Sequence, residues 1–398
     1  MIGTSPPRGE IRIRLFGRTD VGQIREHNED NFVIADLTKK SRTLLEGDRE
    51  QMVGERGSVL GVCDGMGGAA AGEIASQLAV DIIFERLLQD DPPTEHDELA
   101  RRLVHAVEDA GIRIFNEARA DRTRRGMGTT ATIAALVDAR LFVAQVGDSR
   151  AYVLRGDRLV QVSRDQSLVN QLIEAGQLTE EEAETFEHNN IILQALGTAE
   201  TVQVDLTYVD LERGDRLLLC SDGLSGMVRA DELREVLKAY KDPLDACKEL
   251  TDRANRAGGH DNITVIVADF DGAGLPTHGA AGELAYKKYA LPDLPQADSS
   301  QRTASVPAQV TTAPPSEEAQ RESRRLRVGH TMVGIQFSLN EAVQRASNPG
   351  ARVPEAADFG GQDEPVSLPI SGLPPAIVGA MVLAAMILVA LTGFLLLR

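Results

Sequence analysis

Between residues 10 and 270 the chain alternates short apolar runs rich in β-branched residues with longer amphipathic stretches. The short runs lie at Ile11 to Phe16, Phe32 to Ala35, Val59 to Cys63, Thr130 to Leu136, Leu141 to Val146, Ala151 to Leu154, Leu159 to Val162, Val202 to Val209, Arg216 to Cys220 and Ile263 to Phe270. Each is bounded by Gly, Asp, Asn or Arg, which is how strands are punctuated. Apolar residues at helical spacing fall at Gly72 to Leu88, Glu95 to Ala120, Asp231 to Ala239 and Pro243 to Ala257. In the first of these Ala75, Leu78, Ala79, Ile82 and Ile83 share one face. Strands arrive in hairpin-like groups and helices in pairs, so the pattern predicts an α+β fold of antiparallel sheets with helices packed outside, not a βαβ repeat.

Beyond residue 271 the periodicity fades. Residues 272–375 are rich in Ala, Pro, Ser, Gln and Thr, and read as a disordered linker. Within it, at 321–327, lies a basic patch of Arg321, Arg324, Arg325 and Arg327 just before Thr331, a solvated charge run that also suits a kinase target or an acidic partner. Residues 376–397 carry no charge and, as a helix, span about 33 Å, which predicts a transmembrane helix. The first nine residues read as a flexible N-terminus with no apolar stretch, so no secretory signal is expected there. Together these features predict a single-pass C-terminal anchor with the folded domain, residues 10–271, in the cytoplasm.

Composition narrows the function. Sixty acidic against 42 basic side chains leave a formal charge of -18, which disfavours nucleic acid as a partner. The three cysteines, Cys63, Cys220 and Cys247, form no CxxC and no Cys/His cluster, so neither a zinc site nor a disulfide framework is expected.

The candidate chemistry is carboxylate. Glu29 and Asp30 in Arg25-Glu-His-Asn-Glu-Asp30, Asp64 in Val62-Cys-Asp-Gly-Met-Gly-Gly68, Asp148 in Gly147-Asp-Ser-Arg150, Asp222 in Cys220-Ser-Asp-Gly-Leu224 and Asp261 in Gly258-Gly-His-Asp-Asn262 each sit where an apolar run begins or ends. Any single Asp-Gly is also a common turn former. As a set, oxygen donors delivered by strand ends suit Mg²⁺ or Mn²⁺, and gathering that many carboxylates without a cation is strongly repulsive. Gly65-Met-Gly-Gly68 lacks the Lys and Ser/Thr of a phosphate-binding P-loop.

These motifs, in this order, resemble the metal-dependent protein serine/threonine phosphatases of type 2C, the PPM family, over roughly residues 10 to 270. The resemblance implies a four-layer α-β-β-α sandwich of two antiparallel sheets flanked by helix pairs. It implies that Asp64 bridges two metal ions and Gly65 offers its carbonyl, that Glu29 completes the second ion's shell, and that Asp222 and Asp261 hold the first. Asp30 would support that shell, Asp148 and Asp222 would hold a third ion as in bacterial members, and Arg25 would clamp the substrate phosphate. The implied reaction is hydrolysis of phosphoserine and phosphothreonine in proteins by a metal-activated bridging hydroxide, opposing serine/threonine kinases at the membrane. A non-catalytic phosphoprotein-binding scaffold and a phosphatase of small metabolites are the alternatives. Met66 stands where many eukaryotic members place a histidine acid, a bacterial trait. Residues 164–201 resemble the flap of bacterial members.

Overall fold

The computed structural model describes residues 10–42, 49–67, 71–184, 186, 190–277, 279 and 284–291. The N-terminus 1–9, nearly all of the expected linker with its arginine patch, and the expected membrane helix 376–397 lie outside the described residues. Among the described residues no helix is long and apolar enough to cross a membrane.

In chain order the elements are β1 (Arg12–Asp20), β2 (Asn31–Asp36), β3 (Glu50–Met52), β4 (Ser58–Cys63), β5 (Gly65–Met66), α1 (Ala71–Leu88), α2 (His96–Ala120), β6 (Gly128–Thr129), β7 (Ala131–Val137), β8 (Arg140–Val146), β9 (Arg150–Arg155), β10 (Arg158–Gln161), α3 (Leu168–Glu174), α4 (Glu180–Glu184), β11 (Asp205–Asp210), β12 (Arg216–Cys220), α5 (Asp222–Ser225), α6 (Ala230–Ala239), α7 (Pro243–Arg256), β13 (Ile263–Asp271) and β14 (Lys287–Lys288). One sheet runs β10-β9-β12-β13-β1-β3 and the other β14-β11-β8-β7-β4-β2, and every pairing is antiparallel.

The continuous apolar character of the central strands follows from burial on both faces. Along β12, Leu217 and Leu219 enter the core between the sheets while Leu218 and Cys220 face the α6 and α7 side. Along β7, Ala134 and Leu136 enter the same inter-sheet core while Ile133, Ala135 and Val137 meet α1 and α2. Period-2 alternation thus yields three apolar layers between four structural ones, the α-β-β-α sandwich.

Three local features differ from the sequence expectation. The strand expected at Thr130 to Leu136 forms as Ala131–Val137, but just before it Gly128–Thr129 pairs with Gly65–Met66 as a separate two-stranded ribbon that the apolar pattern does not predict. Asp222 opens a one-turn helix where the sequence pattern predicts only a loop. The expected linker beginning at 272 starts with residues that belong to the folded unit. Leu275, Leu284 and Leu291 are buried, and β14 adds to the edge of β11. There Tyr289 stacks edge-on against Phe142 and Tyr208, with ring centroids 5.0 and 5.4 Å apart, and its hydroxyl bonds Asp97. A two-residue strand among Gly, Ala and Lys has no periodicity to read; its order comes from covering an otherwise open sheet edge.

Tyr289→Ala is therefore expected to destabilise the protein by roughly 1–3 kcal/mol, read by denaturant melting, while Tyr286→Ala, at a side chain 41% exposed, has little effect. Equal melting of the two variants would show that the segment contributes nothing.

Candidate active site at the open end of the sandwich

All eight residues singled out by sequence lie at one end of the two sheets. Asp30 directly precedes β2 and Asp64 directly follows β4, and these strands pair with Asn31 opposite Cys63. Asp222 follows β12 and Asp261 precedes β13, which pair with Cys220 opposite Val265. Asp148 occupies the turn between β8 and β9, whose flanking ends reach the same side.

Asp64 is pinned through its backbone. Its N–H donates to Thr130 Oγ1 at 2.9 Å and its carbonyl accepts from the Thr130 N–H at 2.8 Å and Thr129 Oγ1 at 2.9 Å. The Asp64 and Asp222 carboxyl groups lie within hydrogen-bonding reach of each other. Asp30 is buried, and its Oδ2 accepts from Ser221 Oγ at 2.8 Å and Thr264 Oγ1 at 2.7 Å. One oxygen on each of Asp30, Asp148 and Asp222 is buried with no hydrogen-bond partner.

Like charges in a dry setting disfavour ionisation. Burial pushes Asp30 up to about 7, against the two hydroxyls and with Asp222 and Asp261 adding to the rise. Burial, then the neighbours Asp30, Asp222, Asp261 and Asp148, push Asp64 well above the carboxylate range. Asp148 rises through burial and then Asp222 and Asp165, offset by Arg150; Asp222 rises through burial and Asp261.

Among the described residues no three such side chains are drawn together closely enough to hold a metal ion as they stand. The donor set nevertheless fits a hard divalent cation: it is all oxygen, one oxygen on each of Asp30, Asp148 and Asp222 is buried without a donor, and Arg25 and Arg150 offset only part of its charge. Gly65 is part of that fit. A Cβ there would come within 2.3 Å of the carbonyl oxygens of both Glu29 and Gly72, so only glycine lets these three backbones converge. The Glu29 side chain in turn lies against Gly72, where a Cβ would sit 2.8 Å from its Cδ.

Arg25 donates to Asp261 Oδ2 at 2.8 Å. The arginine expected to bind substrate and an aspartate expected to bind metal are thus partners here. His27 and His260 are exposed. Met66 is buried against Ile192 and Ala195 of the flap segment, so it packs the flap and leaves no acid at that position. The flap is tied to the site: Gln166 exchanges hydrogen bonds with Gly147, beside Asp148, and Leu196 pairs with Thr129.

The sequence reading did not single out Asn262, Ser221 or Thr264 as individual site residues. Asn262, 4% exposed, accepts from the Glu29 N–H at 2.8 Å and donates to the Val21 and His27 carbonyls at 2.9 Å. It fastens the Arg25–Glu29 loop to β13. Its place directly after Asp261 and before an apolar strand is a signal, although only the fold reveals its partners. Asp165, held by Arg150 at 2.7 Å and Gln161 at 2.7 Å, is a further buried carboxylate whose charge is felt at Asp148.

Raised carboxylates mean that the fold binds protons more tightly than the unfolded chain. Without cations, stability is fully present below the ordinary aspartate range and is lost as pH rises through the folded values, here from about 3.8 toward about 7 for Asp30. Melting in chelator should show that decline between pH 4 and 7, and Mn²⁺ should flatten it. Stability that rises with pH over this window in chelator would contradict the assignment.

The protein phosphatase 2C family model matches residues 45–256. The chain is 34% identical over 252 residues to the serine/threonine phosphatase stp of Listeria innocua, covering 63% of this chain and 94% of that protein. It is 37% identical over 253 residues to the protein phosphatase PhpP of Streptococcus pneumoniae, covering 64% and 96%. A crystal structure of the catalytic domain of the serine/threonine protein phosphatase PstP, in complex with two manganese ions, superposes with a TM-score of 0.55 at 34% identity, covering 66% of this chain and 99% of that one. The fold, the order of the carboxylate motifs and these likenesses agree: the chain belongs to the protein phosphatase 2C family.

Proposed function

We propose that this chain is a protein serine/threonine phosphatase that hydrolyses phosphoserine and phosphothreonine directly, using Mn²⁺ or Mg²⁺ held by the carboxylates at the open end of the sandwich. The observation that carries the reading is the convergence of Asp30, Asp64, Asp148 and Asp222 from separate stretches of chain, with buried oxygens lacking donors. In this reading Asp64, Gly65 and Glu29 hold one cation, and Asp64, Asp222 and Asp261 hold the other, with Asp148 and Asp222 offering a third, weaker place. When bound, such a pair supplies neutralising charge and an acidified water for in-line displacement at phosphorus.

The rest falls to the protein. Arg25 offers its planar fork to the phosphate oxygens once it leaves Asp261. Ser221 and Thr264 hold Asp30 in one orientation, and Asn262 keeps the loop that carries Arg25 and Glu29 in register with β13. No side chain placed as a protein nucleophile is needed, so no phospho-enzyme is expected. The acidic set is complete, which favours turnover over a non-catalytic scaffold. The same reading makes phosphorylated proteins, including serine/threonine kinases and their targets, the partners. It also makes residues 376–397 a membrane anchor that keeps the enzyme on the cytoplasmic face at high effective concentration near them.

Two experiments test these statements. Phosphate release from a phosphothreonine peptide should require Mn²⁺ and stop in Asp64→Asn, whereas Arg25→Ala should raise KM more than it lowers kcat; full activity in excess chelator would refute the metal-dependent reading. Fractionation should find the full chain with membranes and a chain ending at Gly372 in the soluble fraction with the same activity. A soluble full chain would refute the anchor.

A further inference from the structure

Ile24 is 64% exposed, more than any other large apolar side chain among the described residues, and Val21 on the same loop is 36% exposed. A single exposed apolar residue is ordinary on a protein surface. What distinguishes Ile24 is its seat. It immediately precedes Arg25, and the turn that carries it is tied down on every side. Gly22 N–H donates to Asp20 Oδ1 at 3.0 Å, Gln23 N–H to the Gly259 carbonyl at 2.8 Å, and Asn262 Nδ2 to the carbonyls of both Val21 and His27. A Cβ on Gly22, whose φ is +81°, would come within 2.3 Å of the Asp261 carbonyl, so the turn and the Asp261 loop are in direct backbone contact. The loop therefore cannot fold inward to cover Ile24, and little ordering remains to be lost when something binds it.

Adjacent residues of any peptide are about 3.8 Å apart at Cα. A phosphorylated residue held at Arg25 thus keeps its chain neighbours within reach of the surface around Arg25, and the most exposed large apolar side chain on that turn is Ile24, directly before Arg25. The charged groups nearby, Arg25 with Asp261 and the exposed Glu26, give no reason for an isoleucine to face water there unless an apolar group meets it.

We infer that Ile24, with Val21 beside it, is a specificity-determining contact that receives an apolar side chain flanking the phosphorylated residue of a protein substrate. This rests on the phosphatase reading above and adds the chemistry of the neighbouring residue. It makes the enzyme favour phosphopeptides with apolar flanks over polar ones and over small phosphate esters.

The test compares two phosphothreonine peptides, identical except that the residues on both sides of the phosphothreonine are valine in one and serine in the other, with p-nitrophenyl phosphate as the small ester, all with Mn²⁺. Wild type should show a lower KM for the valine peptide. Ile24→Ser should raise that KM by about tenfold with kcat held, should erase the preference between the peptides, and should move the p-nitrophenyl phosphate rate by less than about twofold. Ile24→Leu should restore the preference. Equal KM values for the two peptides in wild type, or a preference that survives Ile24→Ser, would overturn the inference, as would an equal loss on all three substrates, which marks a loop that has simply lost its shape. If wild type releases phosphate from none of the three, the phosphatase reading fails instead.

Discussion

Repulsion among carboxylates is the constraint around which the site is organised. Asp30, Asp64, Asp148 and Asp222 come from four separate stretches of chain and meet where water is scarce, and each is driven toward its neutral form first by burial and then by neighbouring carboxylates, among them Asp261 and Asp165. A protein gains nothing in stability from such an arrangement on its own. It is tolerable because the surrounding groups hold the backbone rigidly, and useful because the attraction of each carboxylate to a hard divalent cation would outweigh the repulsion among them.

The scaffold explains how that strain is carried. Both sheets are buried on their two faces by the cores between them and under the helix pairs, so the strand ends are fixed to within the tolerance of a packed interior. The acidic residues sit one or two positions beyond those ends, on backbone that is itself hydrogen-bonded: Asp64 to Thr129 and Thr130, and Glu29 to Asn262 and Gly65. The chemistry is carried by short loops, and the placement by long antiparallel ladders. The flap joins this frame through Met66, Gly147 and Thr129, which couples whatever it touches to the metal-loop residues themselves.

Much of this was legible in the chain. Strands such as Arg216–Cys220 and Ile263–Asp271, and helices such as Pro243–Arg256, announce themselves through short apolar runs or helical spacing with clear punctuation. The carboxylates were legible because each follows or precedes such a run. What could not be read depends on partners distant in sequence. Asn262 looks like any turn asparagine until its contacts with Val21, His27 and Glu29, more than 230 positions away, are seen. The pairing of Arg25 with Asp261 is of the same kind. Tyr289 and Lys287–Lys288 lie in a stretch whose composition suggests a linker, and only the open edge of β11 gives them a place.

Whether these carboxylates jointly grip a pair of cations is read most directly, and without any substrate, by calorimetric titration of the metal-free protein with Mn²⁺. At least two Mn²⁺ should bind per chain, with protons released as the raised carboxylates ionise, and that tight binding should be lost in Asp64→Asn while the variant remains folded. Binding of no Mn²⁺, or binding with unchanged stoichiometry and affinity in Asp64→Asn, would contradict it.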